Sequence, residues 1–131
     1  MEGSMHVAII DDDKIYHVIT RKLIESTVKP KDIFEFYDGQ EALDYLLQNQ
    51  AAPEMLPDVI FLDIQMPYLD GWQFLDSYSQ LGLSKNIDIY IVSSSISSLD
   101  HERFNQSNCV KEFIVKPFTR NKLTEIMQGY A

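Results

Sequence analysis

Val59-Ile60-Phe61-Leu62 is an unbroken apolar run that ends on a carboxylate, Asp63. The run is too short for a helix, and β-branched and aromatic side chains favour a strand. Continuous rather than alternating apolarity predicts a strand covered on both faces, and so one near the centre of a parallel sheet. Working outward, His6 to Ile10, Ile33 to Tyr37, Ile87 to Val92 and Val110 to Val115 have similar character. The first of these is continuously apolar too. The second, fourth and fifth strands in chain order carry polar residues, which predicts less complete coverage.

The segments between them have helical spacing. Ile15, Val18, Ile19 and Leu23 stand at i, i+3, i+4 and i+8, which predicts a helix over 14–27 with these residues on its apolar face, ended by Pro30. Asp38 and Glu41 have capping-box spacing ahead of Leu43, Leu46 and Leu47. Asp70 can cap a third helix bearing Trp72, Leu75, Tyr78 and Leu81, with Gly82 fitted to a left-handed C-terminal position. Leu99 to Gln106 reads as a polar fourth helix, and Thr119 can cap a fifth with Leu123, Ile126, Met127 and Tyr130. Residues 48–57, with Pro53 and Pro57, read as a long loop. Strands alternating with helices predict an α/β fold with a doubly wound parallel sheet.

The 131 residues suit one domain with one true core, and 45% hydrophobic with 24% charged residues is ordinary for a globular chain. Eleven Lys and Arg against 20 Asp and Glu give a net charge of −9, which disfavours nucleic acid and anionic membranes. The single cysteine, Cys109, has no internal disulfide partner, and no apolar run is long enough to span a bilayer. A cytoplasmic location is expected. Residues 1–5 have the form of a tag remnant or disordered N-terminus, with the domain proper over 6–130.

In an open parallel sheet, ligands bind beyond the carboxyl ends of the strands. Those ends here carry Asp11-Asp12-Asp13, Asp63, Ser93-Ser94-Ser95 and Lys116-Pro117. Singly, each has an ordinary explanation: a solvated helix N-terminus, a turn residue, a surface cation. Together they are harder to dismiss. Carboxylates at ~4 Å repel by several kcal/mol at an effective dielectric of ~20, so a cation is expected between them. Mg²⁺ suits all-oxygen ligands, and Lys116 supplies a fixed charge. Asp63, with the Ser93 hydroxyl nearby, is then equipped to attack a phosphoryl group.

These motifs resemble the receiver domain of two-component response regulators, of the chemotaxis-regulator type. Ile9-Ile10-Asp11-Asp12-Asp13 is similar to the family's first-strand acidic pair. Leu62-Asp63-Ile64-Gln65-Met66-Pro67 with Asp70-Gly71 is similar to its phosphoacceptor motif, and Val115-Lys116-Pro117-Phe118 to its Lys-Pro motif. The resemblance covers residues 6–130 and implies a flavodoxin-like (βα)5 fold with strand order 2-1-3-4-5. It implies that Asp63 accepts phosphate from a histidine kinase or histidine phosphotransfer protein and catalyses its own phosphorylation and dephosphorylation without being a turnover enzyme.

The same resemblance implies that Asp12, Asp63 and the Gln65 backbone carbonyl ligate Mg²⁺, with Mn²⁺ a substitute, that Asp11 acts through water, and that Lys116 contacts the phosphoryl oxygens. Ser93 and Phe113 occupy the switch positions, Phe113 lacking the hydroxyl of the frequent tyrosine. The resemblance also implies a cis peptide at Lys116-Pro117, a bond type in which cis is cheap. The resemblance further implies that Ser94 and Ser95 are supporting residues, that Gln65 and Ser95 tune water access, and that Met66 and Pro67 shape the loop. The face of the fourth helix, fifth strand and fifth helix is expected to meet a downstream protein or a second copy. With no output domain after the fifth helix, output is expected through contacts.

Three other readings compete with this one. Asp11-x-Asp13 matches a haloacid-dehalogenase-type phosphatase, but Ile15 and the lack of a late acidic pair count against it. A flavodoxin-like carrier needs a hydroxyl- and glycine-rich first loop, where this chain has three aspartates. A receiver-like interaction module that is never phosphorylated is the remaining alternative.

Overall fold

The computed structural model describes residues 5–27, 32–94, 97–116 and 119–128. Expectations resting on Pro30, Ser95, Pro117, Phe118 and Tyr130 lie outside these residues. Five strands, β1 (His6–Ile10), β2 (Asp32–Phe36), β3 (Val59–Asp63), β4 (Asp88–Ser93) and β5 (Val110–Val115), alternate with α1 (Lys14–Thr27), α2 (Gly39–Gln48), α3 (Gly71–Tyr78), α4 (Ser98–Gln106) and α5 (Arg120–Met127). The strands form one parallel sheet in the order β2-β1-β3-β4-β5. This is the flavodoxin-like arrangement, and β3 is its central strand.

Alternation along each strand divides the core in two. Ala8, Ile10, Ile60, Leu62, Ile89 and Ile91 pack with Leu43 and Leu46 of α2 and Phe74 and Leu75 of α3. Val7, Ile9, Val59, Phe61, Val92 and Ile114 pack on the other face with Ile24 of α1 and Leu123, Ile126 and Met127 of α5. Met5, the last residue of the segment read as a tag remnant or disordered N-terminus, is also buried in this second cluster. At the far end of the sheet from the acids, Lys85 Nζ meets Asp58 Oδ1 at 2.7 Å and the Leu56 carbonyl at 3.0 Å.

Three local expectations are corrected. β4 is almost wholly buried, like β1 and β3, because it lies between β3 and β5; only the edge strands β2 and β5 are incompletely covered. α3 ends at Tyr78 with Ser79 as its C-cap, and the left-handed Gly82 (φ 61°) turns the chain beyond it. Most telling is α1, where Ile15, Val18 and Ile19 are 73, 54 and 55% exposed while His17, Thr20 and Ile24 are buried. The helix has two usable stripes, and the inward one is the more polar. The reason is local: His17 Nε2 donates to the Asp11 carbonyl at 2.7 Å, which turns that side of α1 to the sheet.

Tyr68, fully exposed in the loop between β3 and α3, is the one non-glycine residue with positive φ (68°) among those described. An L side chain in that region costs about 1 kcal/mol, which asparagine tolerates better. Tyr68→Asn should therefore raise the unfolding free energy measured by chemical denaturation by up to about 1 kcal/mol; a lower value would show that the tyrosine ring contributes to folding.

Candidate functional site

The carboxyl ends of β1, β3 and β5 bring four charged side chains together. Carboxylate oxygens of Asp11, Asp12 and Asp63 all lie within 4.8 Å of one another. Lys116, just past β5, reaches back so that Nζ lies 2.8 Å from Asp11 Oδ2 and 3.7 Å from Asp63 Oδ2. Asp11 and Asp63 are buried, while Asp12 faces solvent and keeps the cleft open. Parallel pairing is responsible: β1 and β5 flank the β3–β4 pair, so chain segments distant in sequence end side by side.

Short hydrogen bonds fix the loops. The Asp13 amide donates to Asp11 Oδ1 at 2.9 Å, and Asp13 Oδ1 accepts from the Ile15 and Tyr16 amides at 2.9 and 3.2 Å. Asp13 thus caps α1 and is not one of the clustered acids. The Gln65 amide donates to Asp63 Oδ1 at 3.1 Å, and the Lys116 amide to the Ser93 carbonyl at 2.7 Å. Asp70 and Gln73 form a reciprocal capping box at the start of α3, and the Gly71 amide donates to the Ile64 carbonyl at 3.1 Å. The loop after the central acid is therefore anchored to the helix that follows.

Burial, reinforced by the neighbouring Asp11 charge, pushes the Asp63 carboxyl up to about 6; the Gln65 amide and Lys116 work in the opposite direction. Among the described residues, Lys116 is the one ammonium paired with the three clustered carboxylates. The donor set is all oxygen, partly open to solvent and undercompensated in charge, and it fits a hard divalent cation.

Ser93 is buried at the end of β4, and Ser94, next in the chain, is exposed. Phe113 pairs in register with Ile91, and Ser93 lies two residues farther along, so both face the α3–α4 side. The Phe113 ring lies 6.3 Å from His101 and 6.1 Å from Phe104, both in α4. α4 buries none of its own residues. A Trp72 Nε1 to Asp100 Oδ1 hydrogen bond of 3.0 Å ties it to α3.

Two residues at the rim were not singled out from the sequence. His17 bonds the Asp11 carbonyl, and the Tyr16 ring centroid lies 4.1 Å from Lys116 Nζ. A histidine and a tyrosine directly following an acidic triplet are a weak signal, because both read equally well as helix packing.

A family model described as the response regulator receiver domain matches residues 7–128. The sensor histidine kinase CheAY of Helicobacter pylori is 31% identical over 124 residues, covering 93% of this chain but only 14% of that protein. The polar-differentiation response regulator DivK of Brucella anthropi is 27% identical, with 95% of this chain and 94% of DivK covered. A two-component response regulator from Cytophaga hutchinsonii has a TM-score of 0.82 at 27% identity, covering 95% of this chain and 94% of its own. The receiver domain of a Pseudomonas aeruginosa sensor histidine kinase, with a magnesium ion coordinated in its active site cleft, shares the fold (TM-score 0.77, 18% identity, 97% of each chain). With the family model matching residues 7–128, nearly the whole of this chain, and the strand order and acidic cleft in agreement, the chain belongs to the response regulator receiver domain family, the signalling modules of two-component systems.

Proposed function

We propose that Asp63 accepts a phosphoryl group from a phosphohistidine in a Mg²⁺-dependent reaction and that the aspartyl phosphate changes which protein the domain binds. The convergence of Asp11, Asp12 and Asp63 within 4.8 Å, with Lys116 against them, carries this reading. Asp12, Asp63 and the Gln65 carbonyl would hold the cation, Asp11 would act on it through water, and Mn²⁺ would be an acceptable substitute. The bound cation supplies charge neutralisation for the incoming phosphoryl oxygens. One Asp63 oxygen, held in orientation by the Gln65 amide on its partner oxygen, forms the new O–P bond as the N–P bond to the donor imidazole breaks. Lys116 then contacts the phosphoryl oxygens, and Ser93 donates its hydroxyl to them.

Acetyl phosphate with Mg²⁺ should add one phosphoryl group, read by intact mass. Labelling that is independent of Mg²⁺, or undiminished in Asp63→Asn, would refute the assignment.

Readout follows from the position of Phe113. Movement of Ser93 toward the phosphoryl group frees space on the face that Phe113 shares, and Phe113 contacts the rings of His101 and Phe104 in the largely exposed α4. The α4–β5–α5 face is accordingly the output surface, for a downstream protein or a second copy. None of the helices described is long and apolar enough to cross a membrane, which fits a cytoplasmic role.

The exposed stripe on α1 bears on the donor. Ile15, Val18 and Ile19 form a contiguous apolar patch beside the acidic cleft, and a protein donor must press against that rim to bring its imidazole to Asp63. A small-molecule donor needs no such seat. Ile15→Ser combined with Ile19→Ser should slow transfer from a phosphohistidine protein by roughly tenfold or more, since burying an isoleucine contributes about 1.5 kcal/mol or more. Acetyl phosphate labelling should be unchanged; equal loss with both donors would show damage to the cleft itself.

A further inference from the structure

We infer that Tyr16 is a positioning residue for Lys116, its ring face serving as a fixed shelf that keeps the ammonium at the acidic cleft before and after phosphorylation. The inference rests on the phosphoacceptor reading only for its consequence; the contact stands on geometry. Lys116 Nζ lies 4.1 Å from the Tyr16 ring centroid, 2.8 Å from Asp11 Oδ2 and 3.7 Å from Asp63 Oδ2. Its side chain is mostly buried at 17% exposure.

A lysine needs such a support. Its charge is a point at the end of a flexible four-carbon stem, with none of the built-in direction of a guanidinium. The shelf itself is held on two sides. Tyr16 packs against the Val7, Ile9 and Leu123 cluster. Its backbone is tied to the acidic loop, because its amide donates to Asp13 Oδ1 at 3.2 Å and the following residue, His17, holds the Asp11 carbonyl. The ring therefore keeps its register with Asp11.

An aromatic face also has an electrostatic advantage over a further carboxylate. It attracts the cation through its quadrupole without adding a formal negative charge to a cleft that already holds three. When a phosphoryl group arrives, Lys116 can turn from Asp11 toward it while remaining on the ring. Tyr16 thus contributes to capture of the phosphoryl group and little to capture of the metal, because it touches Lys116 and not the cation ligands.

The test compares wild type, Tyr16→Leu and Tyr16→Phe. In the metal-free protein, the Lys116 side-chain methylene protons next to Nζ should resonate upfield in NMR spectra from the ring current. The displacement should persist in Tyr16→Phe and vanish in Tyr16→Leu. With saturating Mg²⁺, beryllofluoride, a phosphoryl mimic, should bind Tyr16→Leu on the order of tenfold more weakly than wild type. Tyr16→Phe should restore binding, and Mg²⁺ affinity measured alone by calorimetry should change much less. Unshifted Lys116 resonances in wild type would overturn the inference without any variant. Wild-type beryllofluoride affinity in Tyr16→Leu, or an equal loss of Mg²⁺ and beryllofluoride affinity there, would overturn it as well. Failure of wild type to capture beryllofluoride would instead strike at the phosphoacceptor reading, leaving the ring-current measurement to decide the contact.

Discussion

Metal-free Asp63→Asn should be more stable than wild type at pH 7, by roughly 2 to 3 kcal/mol, and the difference should vanish near pH 4. The folded chain raises the Asp63 carboxyl from 3.8 to about 6, burial being the main cause and the Asp11 charge the next. The native state therefore binds this proton more tightly than the unfolded chain does. Between about pH 4 and pH 6 stability falls as pH rises, and above about 6 the full penalty of an ionised buried Asp63 is present; each pKa unit corresponds to about 1.4 kcal/mol. Asparagine removes the charge, keeps an oxygen for the Gln65 amide and leaves Lys116 paired with Asp11. Urea unfolding at the two pH values in the presence of a chelator measures the difference. Equal stability at pH 7 would mean that the cleft is not under this electrostatic load. By the same linkage, Mg²⁺ affinity should fall as pH drops through about 6, because a proton then competes for Asp63.

The second large effect is expected at Gly71, which makes no direct contribution to the chemistry. A Cβ there would lie 2.6 Å from Ile64 Cα, 2.7 Å from Ile64 Cγ2 and 2.9 Å from the Asp63 carbonyl oxygen. Two of these neighbours are backbone atoms at the end of β3, and the Gly71 amide itself bonds the Ile64 carbonyl. No rotamer change can relieve the clash, so either α3 or the segment carrying Asp63 must move. Gly71→Ala should cost about 1 to 3 kcal/mol or more, the range for overpacking. The fraction that remains folded should phosphorylate more slowly, since the nucleophile is displaced. Thermal unfolding together with the acetyl phosphate rate per folded molecule separates the two effects. Wild-type values for both would show that the loop yields at no cost. Gly39 is a useful contrast: its nearest neighbour is the flexible end of the Leu69 side chain, at 2.8 Å.

How much of this could be read from the amino acids alone depended on whether the signal was local. β1 and β5 have the bounds that their composition predicts, and β2 and β4 differ by one residue at their ends. The caps at Asp38, Asp70 and Thr119 follow from side chains within three residues of the amides they accept from. Burial of β4 was not legible, because it depends on having β3 on one side and β5 on the other, which Asp88 and Tyr90 do not encode. The orientation of α1 was misread for a related reason. Ile15, Val18 and Ile19 form the better apolar stripe, but the carbonyl of Asp11 gives His17 an inward partner that no periodicity contains.

The same division holds for the cleft. Asp11, Asp12, Asp63 and Lys116 could be gathered from the sequence because parallel strands bring their ends together. Tyr16 could not, because a half-buried tyrosine on a helix has the same pattern whether it packs a core or supports a cation. The exposed apolar stripe of α1 and the Tyr16 shelf occupy the same helix, so α1 contributes both to the rim a donor must meet and to the cation inside it.

The most direct measurement locates the phosphoryl group chemically. After treatment with acetyl phosphate and Mg²⁺, reduction with borohydride converts an aspartyl phosphate to homoserine, which tandem mass spectrometry assigns to a position. The account predicts homoserine at residue 63, dependent on Mg²⁺ and lost when a chelator is added first. Homoserine at residue 11 or 12, or none under conditions that label a known receiver, would contradict it.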